Sequence, residues 1–265
     1  MKSITQHITE KLVLNHNRVK LYKYNPRSYA ELEDIVIEIT EQHKNDDIID
    51  LNMIDTSLIT DMSYLFSNNK HQYDISEWDV SNVKNMMRMF EASDFNQDIS
   101  NWNVSHVENM EAMFAYSKFN QDISKWDVSR VKNMNLMFSY SKFNKDISKW
   151  NVSRVEHMEC MFMNSIFNQD ISDLDVSNVH DMSYMFMNSK FNQDISKWDV
   201  SNVRDMSGMF SSSIFNKDIS DWNVSNVKNI ESIFKNSKFD KDLTPWIKKI
   251  GNKKRLKHNI KDYIK

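Results

Sequence analysis

The sequence predicts an α/β repeat solenoid, about eight 24-residue units held between an N-terminal and a C-terminal cap. Three observations carry this. All seven Trp, from Trp78 to Trp246, fall on one 24-residue frame that Leu174 completes. Two further rows, Phe66 to Phe234 and Phe95 to Phe239, hold all 15 Phe. Two Met rows, starting at Met62 and Met89, hold most of the 18 Met. Self-similarity at a fixed period of this length is the signature of stacked repeat architectures.

One unit begins at Ile195. The spacing Ile195-x-x-Trp198-x-Val200 predicts a short strand whose alternate side chains point inward, in the leucine-rich-repeat manner. Val203, Met206, Met209 and Phe210 then follow at i, i+3, i+6 and i+7, which predicts one stripe of a short helix. Ser201 precedes that stripe as a helix cap. Such a unit cannot bury its apolar face alone, so neighbours must stack and share one core.

The frame extends backwards through Leu51, Ile54, Thr56, Ile59, Met62, Leu65 and Phe66, so the array is expected to span residues 51–246. Residues 1–50 are read as an N-terminal cap. It comprises a hairpin around Asn15-His16-Asn17, then a helix opened by the capping box Ser28-x-x-Glu31 with Leu32, Ile35, Val36 and Ile39 at helical spacing. Residues 247–265 hold eight Lys/Arg and one Asp. Leu256, Ile260, Tyr263 and Ile264 give them one apolar helical stripe, read as a basic capping helix. The alternative is a basic amphipathic segment that touches nucleic acid or an anionic membrane.

The run Phe191-Asn192-Gln193-Asp194-Ile195-Ser196-Lys197-Trp198-Asp199-Val200-Ser201-Asn202-Val203, with Met206-x-x-Met209-Phe210 after it, resembles the repeat of the BspA-like leucine-rich-repeat surface proteins of bacteria. That repeat is also described as the 26-residue bacterial surface protein repeat and occurs in mycoplasma lipoproteins. The resemblance covers about residues 51–246. It implies a leucine-rich-repeat solenoid used for adhesion or protein binding, without catalysis. Units here are 24 residues long and lack the glycine that the family carries after Met-Phe.

Composition narrows the chemistry. With 2 Gly, the chain lacks the Gly-rich loops that cradle phosphates. One Cys excludes a disulfide framework or a multi-cysteine zinc site. The Asp row, Asp74 to Asp242, offers regularly spaced carboxylates to Ca²⁺, but each Asp is better read as accepting backbone N–H groups in its own turn. Asn96 to Asn216 are read as amides tying neighbouring turns together. His157 and Cys160 supply too few ligands for a metal. No cofactor, metal or small-molecule substrate is expected, and the chain is read as not an enzyme.

Recognition should use rows that vary between units. Lys125, Arg130, Lys149 and Arg154 become neighbours on adjacent units, a basic spot suited to an acidic partner. Tyr116 and Tyr140, one unit apart, are interface-prone residues. The expected partner is a macromolecule, most simply a protein. No signal peptide or membrane span is recognisable at the start, which predicts a cytoplasmic location; the resemblance implies the cell surface. Three readings stand: an adhesin, an intracellular scaffold or host-directed effector, and a nucleic-acid or anionic-surface binder working through residues 247–265.

Overall fold

A computed structural model of the chain describes residues 8–15 and 18–264. In chain order it contains a hairpin of β1 (Ile8–Asn15) and β2 (Arg18–Tyr24), then α1 (Tyr29–Gln42). Two short strands follow, β3 (Ile49–Asp50) and β4 (Tyr73–Asp74). After a long stretch without helices come α2 (Thr244–Ile250) and α3 (Lys254–Asn259). The hairpin tip at His16-Asn17 lies outside the described residues.

Between β3 and α2 the 24-residue frame governs the backbone. Parallel bridges join Asp61 to Asn85, Asn85 to Asn109 and so on at the same step to Asn229. Around each bridge a row of amides crosses to the next unit. Met86, Arg88, Phe90 and Ala92 donate to the carbonyls of Asn109, Glu111, Met113 and Ala115 at 2.8–3.0 Å. Neighbouring units therefore lie side by side, and the Trp, Phe, Met, Ile and Val rows merge into one buried cluster. Phe90 and Phe114 stack at 5.5 Å between centroids, and Phe114 and Phe138 at 5.9 Å. Within a unit the two Phe rows also stack, Phe114 and Phe119 at 4.2 Å.

Two predicted elements are corrected. The stretch from Val203 to Phe210 is not a helix, and neither are its counterparts. Alternate N–H groups there donate sideways to the next unit, so they cannot close i→i−4 bonds. The intervening amides close four-residue turns instead, as in Met89 N–H to Met86 O and Ser93 N–H to Phe90 O. Left-handed residues four apart, such as Arg88 (φ 55°) and Ala92 (φ 53°), bend the chain twice per unit. The predicted strand from Ile195 to Val200 is likewise a turn, closed by Trp198 N–H on Ile195 O. The ladder thus runs through the predicted helix, and the predicted strand carries the tryptophan. With no helix to begin, Ser81 and its equivalents do not act as caps. Their N–H groups donate to Asp79, Asn103, Asp127 and the rest of that row, two residues back.

Polar rows complete the coupling. Asp98, Asp122, Asp146, Asp170 and Asp194 each accept the N–H two residues on, the Asx-turn geometry. Asn96, Asn120, Asn144, Asn168 and Asn192 each accept the backbone N–H of the next Asn in the row. Each Trp indole reaches back to the carbonyl of the previous unit's leading residue.

Helices cover both ends. At the first, Ser28 Oγ accepts from Glu31 N–H while the Glu31 carboxylate takes Arg27 N–H. Leu32, Ile35, Val36 and Ile39 of α1 enter the common core. β2 joins the first unit through Tyr24 O, which accepts Asp55 N–H. At the other end a single helix over residues 247–265 is replaced by two short ones, the first starting at Thr244 and containing Trp246. Gly251 breaks the chain between them at φ 63°. Leu256 and Ile260 are buried, Tyr263 packs on Phe234 and Phe239, and Ile264 lies outside the stripe, exposed. The tail lysines are not all solvated. Lys249 Nζ donates to the carbonyls of Ser220 and Asp221, and Lys253 Nζ to those of Ser225 and Val227. No helix among the described residues is long and apolar enough to cross a membrane.

Candidate binding face of the middle units

One row shows what the middle units give up. Asn82, Asn178, Asn202 and Asn226 each donate a side-chain amide to a serine carbonyl of the preceding unit, at 2.7–2.8 Å. In the three units between, the row reads His106, Arg130 and Arg154. Those side chains leave this rung unmade and are exposed. A net contribution of about 1 kcal/mol per hydrogen bond is forgone at each.

Lys125 and Lys149 sit on the same stretch of the unit, each just before its tryptophan, and are exposed too. Residues 125–154 hold seven Lys/Arg and two Asp, whereas residues 155–200 hold two Lys and eight Asp/Glu. The basic belt is therefore local, in a chain of net charge −3. None of Lys125, Arg130, Lys149 and Arg154 makes an ion pair within 4 Å among the described residues, although acids stand near. The Ser124 N–H, then Lys125 and Lys145, hold the Asp122 carboxyl below the usual range. Ser129, then Arg130, do the same for Asp127. Lys132, joined to Glu108 at 3.0 Å, lowers that carboxyl with help from Lys84 and Arg130. Two shallow hollows flank the belt. One of about 240 Å³ is lined by Asp98, Ser100, Gln121, Asp122 and Lys125. The other, about 300 Å³, has Lys132, Ser153, Arg154, Glu156, Asn178 and His180. Lys132 and His180 were not singled out in the sequence; they share one row, and its alternation of charge was the available signal.

Tyr116 and Tyr140 stand elsewhere. Both lie in the ladder, where Tyr116 N–H donates to Ser139 O and Tyr140 N–H to Met163 O. Their rings stack at 4.5 Å, 53% and 44% exposed. Both have left-handed backbones, φ 57° and 54°, in a row otherwise made of Asn68, Ala92, Asn164, Asn188, Ser212 and Asn236. Left-handed φ suits Asn and is uncommon for a bulky side chain. The structure thus places the tyrosine pair and the basic quartet on different segments of the same units. Cys160 is buried in the ladder, and burial, then Glu159 and Asp181, push its thiol up to about 12. That protonated thiol is a poor nucleophile at neutral pH.

A family described as Mycoplasma protein of unknown function, DUF285, matches residues 36–142, 115–190 and 165–263, and the chain belongs to that family. The three matches repeat along the chain, and the family is related to the BspA-like repeat families. Comparison with the curated proteins and with solved structures yields no match.

Proposed function

We propose that the chain is a leucine-rich-repeat-like solenoid that serves as a non-catalytic protein-binding module, and that Lys125, Arg130, Lys149 and Arg154 meet an acidic segment of its partner. The observation that carries this reading is the row in which Asn82, Asn178, Asn202 and Asn226 tie units together and Arg130 and Arg154 do not. Like charges stacked on adjacent units repel, so this belt lowers stability unless an anion faces it. Asp122 and Asp127 interrupt the belt, which favours discrete carboxylates on a protein over the continuous charge of a nucleic acid. The uses of Lys249 and Lys253 on backbone carbonyls also weigh against the tail as a nucleic-acid arm.

The test is titration of the full chain with a glutamate-rich peptide, beside a sulfated oligosaccharide and a single-stranded oligonucleotide. Peptide binding that weakens at least about tenfold in the Arg130→Asn/Arg154→Asn variant supports the reading. Equal binding by that variant, or preference for the oligosaccharide or the oligonucleotide, overturns it. Asn already occupies this row in four other units, so the variant is expected to fold.

A further inference from the structure

The helices at the two ends of the array carry opposite charge, although the segment that precedes α1 is basic, residues 1–28 holding six Lys/Arg and one Glu. Residues 29–50, comprising α1 and the link into β3, hold eight Asp/Glu and one Lys; residues 247–265 hold eight Lys/Arg and one Asp. Packing turns these charges outward at each end. α1 buries Leu32, Ile35, Val36 and Ile39 against the first unit, which leaves Asp34, Ile37 and Glu41 on its exposed side. Residues 43–48 that follow are all exposed, and Ile37 and Ile48 give the acidic end an apolar centre, 56% and 49% exposed. At the far end Leu256 and Ile260 point into the last unit, while Lys248, Lys254 and Lys261 are exposed. Arg255 is joined to Glu231 there, and Lys249 and Lys253 hold backbone carbonyls, but Lys248, Lys254, Lys257 and Lys261 make no ion pair among the described residues. Asp34 and Asp47 are likewise unpaired among them. β2 pairs with the first unit through Tyr24 and Ile54 and adds the exposed Lys23 to this end.

We infer that a second copy of this chain docks head to tail, the α1 face of one molecule on the α2–α3 face of the next. The two faces differ, and each is complementary in charge to the other and not to itself. Such a contact is heterologous: every docked molecule presents a fresh end, and the product is an open string of copies. α1 and the α2–α3 pair are helical, so a joint between these two faces is made by side chains and not by backbone pairing. Charges at the rim of such a joint are screened beyond about 8 Å at physiological salt, which makes it concentration- and salt-dependent.

Sedimentation velocity of the full chain over a range of concentrations tests this. At about 20 mM salt the mass should grow with concentration, and at about 0.5 M the association constant should fall at least about tenfold. One variant reverses the basic end (Lys254→Glu, Lys257→Glu, Lys261→Glu) and another the acidic end (Asp34→Lys, Glu41→Lys, Asp47→Lys). Each alone should stay monomeric, and the two mixed should associate again, because each then meets the opposite charge. Circular dichroism of each variant separates lost docking from lost fold. A wild type that stays monomeric at low salt overturns the inference, as does association that either reversal leaves unchanged. Binding of the basic end to anionic lipid vesicles or DNA while the chain remains monomeric also overturns it. None of these outcomes bears on the acidic peptide at Arg130 and Arg154, which is read by titration.

Discussion

The indole N–H of Trp150 donates to the carbonyl oxygen of Ile123, 27 residues back, at 3.1 Å. Ile123 heads the preceding unit, so one side chain both fills the core and ties two units together. The same bond recurs from Trp78 to Trp246. It is missing where Leu174 replaces the tryptophan, leaving Ile147 O, among the described residues, with only its own turn partner, Trp150 N–H.

Trp150→Ala should cost about 3–5 kcal/mol, the usual loss for emptying a large aromatic site. Trp150 is buried, so the cavity cannot be filled by solvent-facing groups. Trp150→Phe keeps much of the apolar volume but removes one of two donors to Ile123 O, leaving the Trp126 N–H, and should cost less, about 0.5–1.5 kcal/mol. Urea denaturation measures both. A loss below about 1 kcal/mol for the alanine variant would show that this row contributes little to the core.

The inward rows were legible because a fixed period needs no knowledge of the backbone: Trp, Phe and Met at 24-residue steps must face one common interior. The local backbone was not. Val203, Met206, Met209 and Phe210 have a spacing that a helix stripe and a series of four-residue turns share. Only the left-handed φ at positions such as Arg88, Leu136 and Cys160 distinguishes them, and those residue types carry no signal for it. The basic quartet was legible as neighbours one unit apart. Its separation from Tyr116 and Tyr140 was not, because that depends on where each unit bends. The meaning of the Asn82 row also needed the structure, since its acceptor belongs to the preceding unit.

Gly208 occupies the left-handed row at φ 58°, and the Tyr184 ring lies against the place where a Cβ would stand. Gly208→Ala therefore meets both backbone strain and the ring, and should destabilise by more than the roughly 1 kcal/mol of the strain alone. Adding Tyr184→Ala to Gly208→Ala should recover the part due to the ring. A double-mutant cycle with no coupling energy would show that the ring moves aside freely.

Arg130→Asn and Arg154→Asn should each raise stability, by about 0.5–1 kcal/mol, by restoring the amide rung to the preceding unit. The bonds would run to Ser105 O and Ser129 O, as Asn202 now bonds Ser177 O. Stability should rise while peptide binding falls, a trade-off that thermal denaturation and titration read on the same samples. Unchanged or lower stability would mean that the arginine side chains already supply an equivalent support.

Acid should loosen the array. The N–H groups of Ser172 and Ser196 hold the Asp170 and Asp194 carboxyls below their usual range. A carboxyl lowered by folding stabilises the native state above its unfolded value of about 3.9, and that contribution is lost as pH falls through the lower folded value. Thermal midpoints should therefore drop between about pH 4 and pH 2. Asp170→Asn, whose amide oxygen can still accept the Ser172 N–H, should lose less over that range. Parallel curves for variant and wild type would remove the Asx turn as the cause.

Glu159 has the opposite sign. Burial, then the charges of Asp181, Asp205 and Glu111, raise its carboxyl above the usual range. A carboxyl raised by folding opposes the native state when ionised, so its cost is present at neutral pH. That cost disappears as pH falls through the folded value toward the unfolded one, about 4.3. Glu159→Gln keeps the size of the side chain and removes the charge. The variant should be more stable than wild type at pH 7, by a few tenths to about 1 kcal/mol, the range for like charges facing each other across adjacent strands. Near pH 4 the two should converge, because the wild-type carboxyl is then protonated as well. Chemical denaturation at both pH values decides it. A gain that persists unchanged at pH 4 would trace the effect to packing instead of charge, and a loss at pH 7 would mean that the ionised carboxylate makes a favourable contact.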